Sequence, residues 1–124
     1  MKTLKNRGFI RSMNDAFAGI RTAAHREKNF RRQIFAAIIA VILCIVFQVN
    51  SLQFILVVLA IFFVLVTELI NTAVESVVDL VCGGKLHPLA KIAKDASAGA
   101  VLLAAVFSLV VGAVVAYDII RRYF

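Results

Sequence analysis

"QIFAAIIAVILCIVFQVNSLQFILVVLAIFFVLVT", residues 33–67, contains no Asp, Glu, Lys or Arg. The run is too long for a single membrane crossing of about 20 residues. Its middle holds the polar patch "QVNSLQ", Gln48 to Gln53, which predicts two antiparallel helices joined by a tight turn. The first helix is expected at about 33–49 and the second at about 52–81, continuing past the uncharged run without a helix breaker. A further uncharged run, Ala96 to Tyr117, is long enough for a third crossing at about 96–120.

Composition agrees with a chain surrounded by lipid. Of 124 residues 62% are hydrophobic and mean hydropathy is +0.94, whereas soluble domains average roughly half apolar. The length suits one domain, 1–124. Cys44 falls in the first span and reads as packing; Cys82 falls in the connection after the second. The two form neither a disulfide framework nor a metal-ligand spacing. The first apolar run starts only after a long basic segment and ends without a small-residue cleavage pattern, so no cleaved signal peptide is expected.

The charges are distributed unevenly. Lys2, Lys5, Arg7, Arg11, Arg21, Arg26, Lys28, Arg31 and Arg32 precede the first span, and Lys85, Lys91 and Lys94 lie between the second and third. Only Arg121 and Arg122 follow the third. The positive-inside rule places the N-terminus and the 80–95 connection in the cytoplasm and the 49–52 turn outside. Next to membrane spans, such basic segments serve topology and attraction to anionic headgroups, so nucleic acid is not expected as a partner. Phe9, Ile10, Met13, Phe17, Ile20 and Ala24 recur at helical spacing, with Arg11, Asp15, Arg21 and Arg26 on other faces. Residues 9–32 are therefore expected to form an amphipathic helix on the membrane surface. Gly83, Gly84 and Pro88 should stop the second long helix, and Pro88 should open the next. "ASAGA", residues 96–100, offers a small-residue face for close helix packing, not chemistry. The expected fold is all-α, with three transmembrane helices preceded by a surface helix.

"ELINTAVESVVDL", residues 68–80, is where chemistry enters. On a helix Glu75 and Asp79 fall within about 20° of Glu68, and Asn71 about 60° away, over roughly 16 Å of axis. Carboxylates beginning at the edge of an apolar span are costly unless they are paired or functional. Two structural readings stand beside the functional one: ion pairs with Lys85, Lys91, Lys94 or the N-terminal arginines, and the solvated face of a helix leaving the membrane. Acids at helical spacing with an amide between them suit divalent-cation binding and general-base work. Lys94 and Asp95 in "AKDASAG" stand at the same membrane level, as does Glu27; a lysine there suits phosphate as a point charge. Two acids and a lysine facing a basic surface match the needs of ATP-dependent phosphoryl transfer with magnesium. No Walker loop or kinase glycine loop is present, so any kinase here is of another design.

"ELINTAVESVVDL" followed by "HPLAKIAKDASAGAVLL", with "GIRTAAHREKNFR" near the N-terminus, resembles the signature of the small bacterial diacylglycerol kinase and undecaprenol kinase family. The resemblance covers almost the whole chain. It implies a homotrimer in the bacterial cytoplasmic membrane, with active sites shared between protomers at the cytoplasmic interface, using ATP, Mg2+ and a lipid alcohol. By position it makes Glu68 the general base and Asn71 the amide that orients base and substrate. Glu75 and Glu27 match the magnesium ligands; Lys94 and Asp95 match nucleotide contacts, and Asp79 a site residue beside them. His87 matches a histidine near the adenine, and Arg11 a lipid or phosphate contact. The loop "LVCGGKLH" departs from the family by being longer and by lacking its acid and tyrosine. "HPLAKIAKD" looks more like the undecaprenol branch than the diacylglycerol branch. A small ion channel or transporter subunit, with Glu68 and Glu75 as cation ligands, and a non-catalytic scaffold are the readings of other classes. A transporter would set its ionisable groups nearer the bilayer midplane, whereas here they gather at one edge.

Overall fold

The computed structural model of the chain describes residues 8–124. Lys2, Lys5 and Arg7, which entered the charge argument, lie outside the described residues. Four helices follow one another: α1 (Phe9–Arg26), α2 (Lys28–Val46), α3 (Ser51–Cys82) and α4 (Pro88–Tyr123). No strand occurs among the described residues. The helices α2, α3 and α4 are each long and apolar enough to cross a membrane, and α1 is the surface helix expected from its pattern. With 32 and 36 residues, α3 and α4 measure about 48 and about 54 Å. A hydrocarbon core is about 30 Å thick, so both helices overhang it. The overhang of α3 carries Glu68, Asn71, Glu75 and Asp79.

Local chemistry accounts for the helix ends. The Asn50 side chain accepts a hydrogen bond from the Gln53 N–H at 2.8 Å, capping α3. Gln48, just before it, takes the left-handed conformation (φ 49°) that reverses the chain. At the far end Gly83 (φ 54°) and Gly84 (φ 82°) occupy conformations that strain any residue with a Cβ. The Gly83 N–H closes the helix on the Asp79 carbonyl at 3.0 Å. Pro88 sits at the first position of α4, behind His87 as N-cap.

One boundary differs from the sequence expectation. The surface helix ends at Arg26, not at about 32, and residues 28–32 are already the first turns of α2. Glu27 is extended (φ −107°, ψ 111°) between the two helices. The reason lies in Arg31, whose guanidinium donates to the carbonyls of Ala24 (2.9 Å) and His25 (2.8 Å). These belong to the last turn of α1, where carbonyls have no helical partner and a cation is favourable. Folding back over that end requires the chain to bend at Glu27. Phe30, 2% exposed, and Ala23, 4% exposed, are buried at the elbow.

The helix α3 is the hub: it packs along α4 and, less extensively, against α2, while α1 rests on α2 and the edge of α3. Cys44, Val57, Ala60, Val111 and Val115 form the buried cluster towards the 47–50 turn, so Cys44 is packing, as its position suggested. Small residues at such contacts let backbones come close, which matters in lipid because the solvent itself supplies no apolar driving force. Large side chains such as Phe35, Ile38, Phe62, Leu102 and Leu109 are exposed, giving the faces a membrane requires.

Candidate active site

The apolar span of α3 ends at Thr67, and the next residue is a buried acid. Glu68 is 5% exposed, and its Oε2 accepts a hydrogen bond from Gln33 Nε2 of α2 at 3.3 Å. A carboxylate so placed pays heavily in lost hydration unless it is hydrogen-bonded; Gln33 is its partner. Gln33 Oε1 is itself buried without a hydrogen-bond partner. A buried acceptor lacking a donor is costly. Gln33 also heads a groove of about 490 Å³ between α2, α3 and α4, lined among others by Ala37, Ala40, Val64, Leu65 and Ala105. The groove has the size of a small-molecule site, and its walls are almost wholly hydrocarbon.

One helical turn on, the acidic face meets a different neighbour. Asn71 Nδ2 lies 3.4 Å from Glu75 Oε1. The other end of the same amide, Oδ1, accepts a hydrogen bond from Ser97 Oγ of α4 at 2.7 Å. Further along, Lys94 donates to Asp79 at 2.6 Å, and Lys91 pairs with Asp95 one turn away on α4. Asp79, Lys85, His87, Lys91, Lys94 and Asp95 all line a second pocket, of about 600 Å³. Lys94 stands on the overhang of α4, ahead of its apolar stretch. Its hydrogen bond to Asp79 holds the ammonium above the usual lysine range, desolvation opposing in part. The second pocket thus brings three lysines and two aspartates together, with Lys91 and Lys94 paired to Asp95 and Asp79 and Lys85 outside those ion pairs. Lysine ammonium groups are of the type that contacts phosphate.

Between the two pockets lies the stretch of α3 from Glu68 to Glu75. Because α3 is unbroken from Ser51 to Cys82, the acids keep the single rotational face that their spacing predicts. Glu68 reaches to α2, whereas Asn71 and Asp79 reach to α4. The ion-pair reading therefore holds for Asp79, and for Asp95 within α4. Glu75 and Glu27 have no cation partner among the described residues. Both are half-buried oxygen donors, the type a hard divalent cation takes. Among the described residues no group of three or more His, Cys, Asp or Glu side chains is gathered for a metal. A divalent cation held by one or two carboxylates plus ligand phosphates does not need such a group; Glu27 and Glu75 each supply the donor type for that kind of site.

Other expected residues have structural work in view. His87 Nδ1 accepts the Leu89 N–H at 3.1 Å, capping α4 while the side chain lines the second pocket. Arg11 is exposed on α1 and makes no hydrogen bond or ion pair to the α3 acids among the described residues. Two site residues were not singled out from the sequence. Gln33 opens an apolar run and looks like an interfacial residue. Ser97 sits in "ASAGA", expected to serve packing; it does pack, 9% exposed, and its hydroxyl also donates a hydrogen bond to Asn71 across the helix contact. A polar residue inside a small-residue face was the available signal.

Compared with known proteins, residues 14–116 match the model of the family described as prokaryotic diacylglycerol kinase. The chain belongs to that family. It is 41% identical over 101 residues to a diacylglycerol kinase of Synechocystis, an alignment covering 82% of this chain and 58% of that protein. It is 39% identical over 104 residues to an undecaprenol kinase of Bacillus subtilis, covering 84% of each chain. To a diacylglycerol kinase of Escherichia coli it is 30% identical over 101 residues, covering 82% of each. The chain therefore spans 58% of the length of the Synechocystis relative but most of the other two. The match of the family model from 14 to 116 takes in α2, α3 and most of α4, with the buried Glu68 and the second pocket.

Proposed function

We propose that this chain is an ATP- and magnesium-dependent lipid kinase that phosphorylates undecaprenol. The observation that carries the reading is the buried Glu68 carboxylate, bonded to Gln33 at the head of an apolar groove. A long hydrocarbon chain lies in that groove, and its terminal hydroxyl sits by Glu68 and the acceptor Gln33 Oε1. The nucleotide occupies the second pocket, with Lys94 against phosphate, Asp95 and Asp79 beside it and His87 at the base. Its phosphates extend along α3 towards Asn71 and Glu75, and Arg11 lies along the lipid approach.

In the reaction the lipid oxygen attacks the γ-phosphorus; a new O–P bond forms as the bond from that phosphorus to ADP oxygen breaks. Glu68 takes the hydroxyl proton. Its burial keeps water away from the reacting phosphoryl group, which would otherwise be hydrolysed. Asn71, fixed between Glu75 and α4, holds the acidic face in register. Glu27 and Glu75, with the nucleotide phosphates, would hold magnesium, which when bound would supply charge neutralisation. Most of the catalysis comes from positioning, as expected when the transferred group needs little covalent help.

The Bacillus subtilis relative, named for undecaprenol and aligned over 84% of both chains, supports the choice of lipid, as does "HPLAKIAKD". Diacylglycerol is the second reading, supported by the name of the relative with 41% identity; both lipids offer one primary hydroxyl on an apolar body. A homotrimer is part of the proposal, as the family resemblance implies. So is an orientation with the Glu68 end towards the cytoplasm, supported by the basic residues gathered there. The test is transfer of radiolabelled phosphate from ATP to undecaprenol and, in parallel, to diacylglycerol, by purified protein in detergent micelles. Labelled undecaprenyl phosphate that disappears on magnesium removal and with Glu68→Gln is the expected result. A well-folded preparation that labels neither lipid overturns the reading.

A further inference from the structure

We propose that Ser97 is a positioning residue: its hydroxyl sets which way the Asn71 side-chain amide faces. The inference rests on the reading of α3 as the acidic wall of a phosphoryl-transfer site. The two ends of the Asn71 amide have opposite character, one accepting and one donating. Its NH2 end lies 3.4 Å from the Glu75 carboxylate, a long contact that holds weakly by itself. Turned end for end, the amide would set its oxygen against a carboxylate oxygen. What holds it is the other end, where Ser97 Oγ donates to Asn71 Oδ1 at 2.7 Å.

Among the described residues Ser97 is the side chain that donates to Asn71 Oδ1. It is 9% exposed, at the contact of α4 with α3. Its neighbours Ala96, Ala98, Gly99 and Ala100 carry no side-chain polar atom. A small residue is needed for the helices to approach, and serine is the small residue that also brings a donor. Ser97 Oγ also lies 3.0 Å from the Lys94 carbonyl, one turn back on α4. A hydroxyl has one proton, so it serves one acceptor at a time. When the proton turns to the Lys94 carbonyl, Oγ becomes an acceptor and favours the reversed amide. The serine rotor therefore couples the backbone beside Lys94 to the orientation of Asn71, linking the nucleotide pocket to the acidic face.

The test compares Ser97→Ala and Ser97→Cys with the parent and with Ser76→Ala, a serine of α3 whose hydroxyl returns to the Thr72 carbonyl. A thiol is a weak donor but larger than a methyl group. A positioning role predicts the order parent, Cys, Ala for kcat, with Ala lower by about fivefold or more and the KM for lipid nearly unchanged. A packing role predicts the reverse order of the two variants, because alanine fits a tight interface better than cysteine. The second readout needs no activity: with asparagine side chains labelled by 15N, the Asn71 amide signal, assigned by its loss in Asn71→Ala, should shift in Ser97→Ala and stay put in Ser76→Ala. An unmoved Asn71 signal, or a Ser97→Ala enzyme with parental kcat, overturns the proposal. If the parent transfers no phosphate, the kinase reading fails while the amide signal still decides whether Ser97 orients Asn71.

Discussion

The helix pair α3–α4 is joined by polar contacts at both ends, and the two ends use them differently. At the turn end Gln53, 8% exposed, donates to Asp118 at 2.6 Å. Tyr123 Oη donates to the Phe47 carbonyl at 3.1 Å and Arg122 to the Gln48 carbonyl at 3.2 Å. Phe47 and Tyr123 stack edge to face at 5.6 Å. These contacts run from α4 to the turn itself and tie it down. At the Glu68 end α4 meets α3 through Ser97 and Asn71 at 2.7 Å and through Lys94 and Asp79 at 2.6 Å. Glu68 and Glu75, by contrast, receive longer contacts, 3.3 Å from Gln33 of α2 and 3.4 Å from Asn71 within α3. Glu75 has no cation partner among the described residues, and Asp79 is 66% exposed. Contacts that end on backbone or on one another hold helices in register. An acid without a cation partner, as Glu75 is among the described residues, is left to accept a further ligand, which is what a working site keeps.

The largest expected effect follows from Glu68. Glu68→Gln should lower the rate of phosphate transfer by at least about 10²-fold, the scale of a lost general base, while the protein elutes and melts as the parent does. Near-parental turnover would break the contrast, since the most buried acid would then be structural. Next comes Glu75→Gln. Half-saturation by magnesium should move up by roughly 10-fold or more, in line with loss of one carboxylate ligand, as read by titrating the metal in the lipid assay. An unchanged magnesium requirement would move the metal elsewhere.

At the turn end the expectation is reversed. Asp118→Ala leaves the buried Gln53 amide without its acceptor and should cost about 1–3 kcal/mol, seen as a lower thermal midpoint in detergent, with kcat intact. Loss of kcat without loss of stability would show that the turn end also serves catalysis. The smallest effect concerns the Lys94–Asp79 pair, which is exposed. Asp79→Asn should change the midpoint little at neutral pH, because exposed pairs are screened. The folded pKa of Lys94 is raised, so the pair contributes fully below the unfolded lysine value of about 10.4. That contribution is lost as pH climbs through the raised value. The parent-minus-variant difference should therefore be flat from about pH 6 to about pH 9 and vanish only in strong alkali. A difference that falls away near neutrality would contradict the pairing.

Much of this was legible in residue order. The lengths of the apolar runs, the turn at Gln48 to Gln53, the glycine stop and the proline start all reappear in the structure. So does the common face of Glu68, Asn71, Glu75 and Asp79, because helical rotation is a local property once the helix is unbroken. The elbow at Glu27 was not legible: "REKNFRRQ" has no breaker, and the bend depends on Arg31 reaching back to two carbonyls. The capping of α4 by His87 was not legible either: it depends on Nδ1 turning to the Leu89 N–H at 3.1 Å. Gln33 and Ser97 were hidden because each looks ordinary in its own segment.

The chain alone determined that there are three lipid-length helices, where they turn, and which acids share a side, since each depends on rise and rotation per residue and on the cost of charge in hydrocarbon. Only the tertiary structure decided that Glu68 faces Gln33, that Asn71 is held by Ser97, and that Gln53 meets Asp118. Those partners are far apart in sequence, and which of them meet depends on how one helix is rotated against another. Side-chain packing between helices sets that angle; periodicity within one helix does not.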